Sequence, residues 1–245
     1  MKKTQEQQYT FEEFDEHISL WNMIPAGDGS SLVLLRKILD GSQSGSFSRA
    51  PSLLIVGEGA DTFAMAIGNS LCSSDIRQIE GKYLSGTKDQ MSFFGDSLFD
   101  TVHIVSDPRT MSMNESVLWH MLRERRYKFS SFDGKNFEYI HVNGLLVLVA
   151  KNIKLLSPQI IKAVDFKVII DEYTQEQLEL IVHQRLRFCG IDYGEDGRVL
   201  KAVVQNGNKH LNLIIDLLKI CILMVRAEHQ EKLTLKLIER ASKLI

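Results

Sequence analysis

The chain has little that would tie it to a membrane, to an oxidising compartment or, as a whole, to a polyanion. No stretch of its 245 residues reaches the roughly 18 uninterrupted apolar residues of a membrane-spanning helix. The N-terminus MKKTQEQQYT runs into acidic residues where a signal peptide would have an apolar core, so no secretory leader is expected there. Cysteine is scarce: Cys72, Cys189 and Cys221 are odd in number, far apart and set in apolar helical patterns. They predict buried, reduced thiols in a cytoplasmic protein, and argue against disulfides or a zinc site. Charge of one sign is also missing, with 29 basic against 31 acidic residues, a net charge of −2 and a pI near 6.4. Any contact with nucleic acid must therefore rest on a local patch.

What the chain does have is 44% apolar residues, enough for an ample core. The most telling stretch is Pro51 to Leu71. Leu53, Leu54, Ile55 and Val56 make a buried strand, Gly57 and Gly59 a tight turn, and Phe63, Ala64, Ile67 and Leu71 recur at helical spacing. A phosphate-cradling loop between strand and helix needs a longer glycine-rich backbone, a lysine for the β and γ phosphates and a hydroxyl for magnesium. This turn offers Gly57, Glu58, Gly59, Ala60, Asp61 and Thr62, with two carboxylates and no lysine.

Before it, residues 1–10 read as a polar tail, Phe11, Phe14 and Ile18 as the apolar edge of a short helix, and Leu32 to Leu39 as a helix capped by Ser30 or Ser31. The Ser- and Gly-rich run Asp40 to Ala50 is expected to be a mobile linker. After it, Ile76 to Leu84 holds a short second strand and Asp100 to Val105 another, followed by a helix over Asn114 to Arg123. Phe129 to Val142 predicts a hairpin turning at Asp133-Gly134, and Leu145 to Ala150 and Phe166 to Ile170 supply two more strands. Alternating strands and helices predict an α/β fold with a parallel sheet covered on both faces. From Tyr173 onward only helices are expected: one opened by a capping box at Thr174 and Gln177 and closed by Gly190, one near Glu195 to Gln205, a very apolar one over Lys209 to Arg226, and a last one from Thr234. The predicted organisation is an N-terminal tail and helices (1–50), an α/β core with a hairpin (51–172) and a small all-helical domain (173–245).

In order of elements and in several local strings the chain resembles the AAA+ ATPases, most closely the motor subunits of bacterial Holliday-junction branch-migration helicases and more distantly clamp-loader subunits. The resemblance runs from about residue 50 to the end and implies a P-loop-type sheet followed by a helical lid. It also implies where a nucleotide site would lie, and each position can be checked. The first signature is present as LLIV, GEGADT and FAMAI, about three residues short, with Ala60 or Asp61 where the lysine belongs. In the second, Ile104 is followed by Val105 and Ser106 where Asp-Glu is expected, and Asp107 lies two residues beyond the first of them. Asn152 falls at the polar sensor position. Lys162 is the nearest cation to the arginine that would complete a neighbouring subunit's site, and a lysine lacks the guanidinium fork suited to phosphate. His210, in Gly207-Asn208-Lys209-His210, stands at the second sensor, and the hairpin sits where the helicase motor docks its junction-binding partner.

The degenerate nucleotide-site positions are therefore Gly57, Gly59, Asp61, Thr62, Asp107, Asn152, Lys162 and His210. The expectation is a module without ATP hydrolysis, holding no cofactor or only vestigial ATP or ADP with magnesium, and no metal. It would act as an interaction or scaffold subunit in DNA recombination or replication, with its own copies or other AAA+ chains as partners. The alternatives are a divergent but active DNA motor and, with no constellation to support it, a small-molecule α/β enzyme. Arg123, Arg125, Arg126 and Lys128 form the densest basic cluster and are candidate contacts for phosphate, DNA or an acidic partner. His103 and His120 read as structural histidines, and Asp165 and Asp171 as ordinary carboxylates near strand ends.

Overall fold

Strands that are apolar from end to end must be covered on both faces, and the two most apolar segments lie at the middle of the sheet. In the computed structural model, which describes residues 10, 11, 13–71, 75–80, 94, 101–107, 112–130, 137–194 and 197–245, β1 (Ser52–Val56) and β6 (Leu145–Ala150) are buried at every position. They are neighbours in a five-stranded parallel sheet of order β2-β3-β6-β1-β7, with β2 (Ile76–Glu80), β3 (Val102–Ser106) and β7 (Phe166–Ile169). The edge strands are less buried. In β7, Val168 is buried while Lys167 and Ile169 are exposed, and a lysine on an edge discourages pairing with another chain.

Helices pack on both faces. Leu54, Val56, Leu146 and Leu148 share a core with Leu118, Met121 and Leu122 of α4 (Ser112–Arg123) and Ile160 of α5 (Pro158–Ala163). Leu53 and Leu145 meet Leu35, Ile38 and Leu39 of α2 (Ser30–Gln43) and Ile67 of α3 (Ala60–Ser70) on the other face. Between α4 and β6 the chain forms an antiparallel hairpin, β4 (Arg126–Ser130) with β5 (Phe137–His141). The turn expected at Asp133-Gly134 lies outside the described residues, as do residues 1–9, Cys72 and Leu84.

The described residues divide into two compact units. One is built from 19–23 and 29–171, the other from the segments up to 18, 24–28 and 172–245. The N-terminal segment, read from sequence as a lead-in to the core, is thus shared between them. In the helical unit, α1 (Phe14–His17), α6 (Gln175–Phe188), α7 (Arg198–Asn206), α8 (Leu211–Ala227) and α9 (Leu235–Ala241) surround a core that includes Phe11, Val182, Leu186, Val203, Ile214, Leu218, Cys221 and Ile238. Cys189 and Cys221 are buried free thiols, and burial pushes the Cys221 thiol up to about 12. The capping box at Thr174 and Gln177 is formed, and Gly190 follows α6 at φ 67°. Arg185 is buried with its guanidinium over the rings of Phe14 and Phe11, at 4.2 and 4.9 Å.

Two details differ from the sequence reading. The cap of α2 is Gly29 at φ 80°, with no side-chain bond, so Ser30 and Ser31 are inside the helix. The Ser- and Gly-rich run is partly helical, since α2 extends to Gln43, and it is then pinned: Arg49 donates to Asp165 at 2.9 Å and Phe47 meets Phe166 edge-on at 5.7 Å.

Asp165 ties the starts of β1 and β7 together. Its carboxylate accepts from the Ser52 N–H and from the Ser52 hydroxyl, both at 2.8 Å, and its own N–H donates back to that hydroxyl at 3.1 Å. Ser52 is fully buried, so Asp165→Ala would orphan two buried donors and should cost roughly 2–3 kcal/mol. The exposed Asp171 serves as the control, with Asp171→Ala close to neutral in a urea titration. Equal midpoints for the two variants would refute the role given to Asp165.

Candidate functional site

In open parallel sheets the crevice for ligands lies beyond the carboxyl ends of the strands, where strand order reverses. Here the register brings Val56 opposite Ala150, Ser106 opposite Val149 and Glu80 opposite Ser106. Backbone bonds extend this lip past the strands: Gly57 N–H donates to the Ala150 carbonyl at 3.1 Å, and Asp107 N–H to that of Val149 at 3.0 Å. Above the lip lies a cleft of about 360 Å³.

The turn from β1 to α3 consists of Gly57, Glu58 and Gly59 only. Gly57 sits at φ 133° and Gly59 at φ 81°, conformations that L side chains rarely adopt. A Cβ on Gly57 would stand 2.9 Å from the Ile170 carbonyl oxygen, so the turn is pressed against the end of β7. Helix α3 then begins at once with Ala60, Asp61 and Thr62. A helix N-terminus attracts negative charge, and its first turn here already contains one in Asp61. Ser106 donates its hydroxyl to Asp61 at 3.1 Å and accepts from the Gln78 carboxamide at 3.1 Å, a chain of hydrogen bonds from β2 through β3 to α3.

Among the described residues, three carboxylates line the cleft, Asp61, Glu80 and Asp107, against one cation in the lining, Lys151. Asp107 is exposed and held at φ 46°. Among the same residues no group of three or more His, Cys, Asp or Glu side chains is arranged to hold a metal ion.

Of the other positions singled out from sequence, those in the same unit as the cleft lie outside its lining. Thr62 is half-buried in the first turn of α3, away from the lining. Asn152 is exposed and extended, and its side-chain oxygen accepts from the Lys154 N–H at 2.9 Å, capping the short 3-10 turn Ile153–Leu155. Its neighbour Lys151 lines the cleft in its place. Lys162 is exposed near the end of α5, with its carbonyl accepting from Arg123 at 3.1 Å. His210 belongs to the helical unit, at the exposed N-terminus of α8, and makes no capping bond through its side chain.

Sequence reasoning missed Gln78, Glu80 and Lys151. The first two lie on a weakly patterned edge strand, and Lys151 is one residue from the position that the resemblance selects. A shift of one residue at a strand end turns the side chain to the other side.

The basic cluster is split. Arg123 and Arg126 are exposed. Arg125, a candidate for phosphate or partner contact, is corrected: it is 8% exposed, and its guanidinium donates inward to the Gly144 carbonyl. Burial, then the nearby Arg49, lowers its pKa to about 10, so it stays charged at neutral pH as a structural group. It has φ 55°, and its carbonyl accepts from the Val142 N–H at 2.8 Å, which places it at the root of the hairpin. Lys128 lies within β4, and its side chain is outside the described residues.

Neither a protein-family model nor a curated protein sequence matches the chain. Solved structures do. The RuvB Holliday junction branch migration motor of Thermotoga maritima superposes with a TM-score of 0.69 at 16% identity, over 89% of this chain and 70% of that one. A single-site mutant of the same motor gives 0.73 at 16% identity, over 94% and 73%. The ORC2 protein of Aeropyrum pernix, solved as ADPNP-ADP complexes, gives 0.58 at 17% identity, over 90% and 69%. At such identities the likeness is one of fold: the chain shares the fold of the RuvB motor and ORC2 structures. Among the described residues no helix is long and apolar enough to cross a membrane.

Proposed function

We propose that this AAA+-fold chain is a catalytically silent module, an interaction or scaffold subunit that assembles with copies of itself or with other AAA+ chains in DNA recombination or replication. One observation supports the reading: between β1 and α3 there is only a three-residue turn, followed at once by an aspartate in the first helical turn. The turn is packed on Ile170, Asp61 stands in the first turn of α3 hydrogen-bonded to Ser106, and Glu80 and Asp107 add negative charge to the same cleft. Each feature works against binding a nucleotide tail. A phosphoryl-transfer site needs preorganised cations around the developing charge, each typically worth several kcal/mol in the transition state. Lys151 alone does not replace a lysine, a metal carboxylate and two arginines. The lining does not fit ATP with magnesium, so no hydrolytic step is assigned to it. The recombination or replication setting is suggested by the RuvB motor and ORC2 structures that share the fold.

Two measurements test this. In thermal denaturation, ATP or ADP with magnesium should give no saturable rise in the midpoint, because a ligand that binds the folded state must raise it. A phosphate-release assay should stay at background. Magnesium-dependent turnover that disappears in Asp107→Ala would establish a working motor and end the proposal. Sedimentation of the same sample reports self-assembly, and a monomer at all concentrations would leave other chains as the partners.

A further inference from the structure

Away from the cleft, α4, the start of α5 and the hairpin build a second surface, for which the degenerate nucleotide site gives no reason. Along the hairpin, residues alternate between faces. Tyr127 is fully buried and Ile140 half-buried on the inner face, so their neighbours Arg126, Tyr139 and His141 are exposed on the outer one. Arg126 and His141 are directly opposite each other in the ladder. Tyr139 is 43% exposed and its ring lies 5.7 Å from that of His120, which in turn lies 5.2 Å from Trp119, itself 36% exposed. Three rings thus run in a row from hairpin to helix with Arg126 beside them, and Arg123 is exposed on the same helix.

The row ends in a groove. An open pocket of about 280 Å³ is bounded by Trp119 together with Glu115, Ser116 and Gln159. One wall is an aromatic ring, and the others present a carboxamide, a hydroxyl and a carboxylate, the groups that meet the edge of a nucleobase. Of the carboxylates beside this surface, Glu115 accepts the Ser157 hydroxyl, Glu124 lies 3.1 Å from the His120 ring nitrogen, and Glu138 is exposed next to Tyr139 on the hairpin.

We propose that this surface is a single-stranded nucleic-acid site. One base lies against Trp119 in the groove and is contacted at its edge by Gln159 and Ser116. A second stacks on Tyr139, and Arg126 and Arg123 take the intervening phosphates. Exposed rings interleaved with cations are how proteins hold single strands without reading sequence, because every base has a π-face and every step a phosphate. An acidic protein would satisfy the arginines but not account for the exposed rings or the polar groove. The proposal does not depend on the cleft, so it stands or falls separately from the silent-module reading.

The full chain has two tryptophans, and Trp21 is an exposed residue whose ring lies under Arg36 at 5.3 Å. Trp21→Phe therefore leaves Trp119 as the sole indole reporter. Titration with a short oligothymidylate at low salt should quench Trp119 saturably, and affinity should fall with salt with a log–log slope of roughly −0.7 per phosphate contacted. Tyr139→Ala should weaken binding roughly 5- to 150-fold. Arg126→Gln should weaken it less and flatten the salt slope by roughly 0.7. Both residues are exposed, so these variants keep the fold. The proposal is overturned by an absence of quenching at the lowest salt, by binding that neither substitution changes, or by a polyglutamate peptide that competes as well as the oligonucleotide. The last result would identify a surface for acidic proteins.

Discussion

Gly57→Ala should destabilise the α/β unit by roughly 2–4 kcal/mol, although the residue makes no side-chain contact and adds no apolar burial. Two costs combine. At φ 133° a Cβ-bearing residue is strained, which costs about 1–3 kcal/mol. The new methyl group would also stand 2.9 Å from the Ile170 carbonyl oxygen, a backbone atom that can yield only if the end of β7 moves. Gly45 separates the two terms. It lies in the same unit at φ 68°, and a Cβ placed there would meet nothing within 4 Å, so Gly45→Ala carries strain alone. Scanning calorimetry should show a midpoint lower by roughly 5–15 °C for Gly57→Ala and a much smaller drop for Gly45→Ala. Equal drops would mean that the β1–α3 turn is not pressed on β7, and would weaken the case that the turn has closed over the place of a phosphate loop.

The second large effect is on stability in mild acid. His103 is the second residue of β3, fully buried, with its ring 5.4 Å from that of Phe94. Burial is the main reason its pKa is lowered from 6.5 to about 4, helped by the positive charges of Arg77 and Arg125 and opposed by Asp75 and a hydrogen bond involving Asn143. The folded state thus resists a proton that the unfolded chain accepts. Stability from this group is complete above pH 6.5 and is lost as pH falls toward about 4. The loss amounts to about 3 kcal/mol, a large part of a typical domain's margin. Asp75 cannot be confused with it. Hydrogen bonding to Arg77 lowers the Asp75 pKa from 3.8, so that contribution disappears only in stronger acid. Urea titrations between neutral pH and pH 4 should show a steep decline, and His103→Leu should flatten it. A parallel decline in the variant would place the proton uptake elsewhere. Because β3 ends in Ser106, loosening it would also break the hydrogen-bond chain to Asp61.

Most of the α/β architecture was legible from sequence for a simple reason. Leu53 to Val56 and Leu145 to Ala150 are apolar without interruption, and only a strand covered on both faces tolerates that pattern. The hairpin also formed, in the register that puts Tyr127 inside and Tyr139 outside. The extent of α2 was less legible, because its last turn, Asp40 to Gln43, is polar and its cap is a glycine without a capping side chain. Arg125 was misread for a related reason. In RERRYK each basic residue looks alike, and nothing local says that one will take a positive φ and turn inward to Gly144.

The cleft marks the boundary between the two kinds of knowledge. By itself the sequence determined that a strand, a glycine turn and a helix follow one another at Pro51 to Leu71, and that no lysine stands in the turn, because composition and period are properties of neighbouring residues. Only the tertiary structure decided what fills the space above the strands. Asp61, Gln78, Glu80, Ser106, Asp107 and Lys151 come from four segments that meet only where parallel strands end side by side, so their combined charge depends on register, which no local pattern encodes.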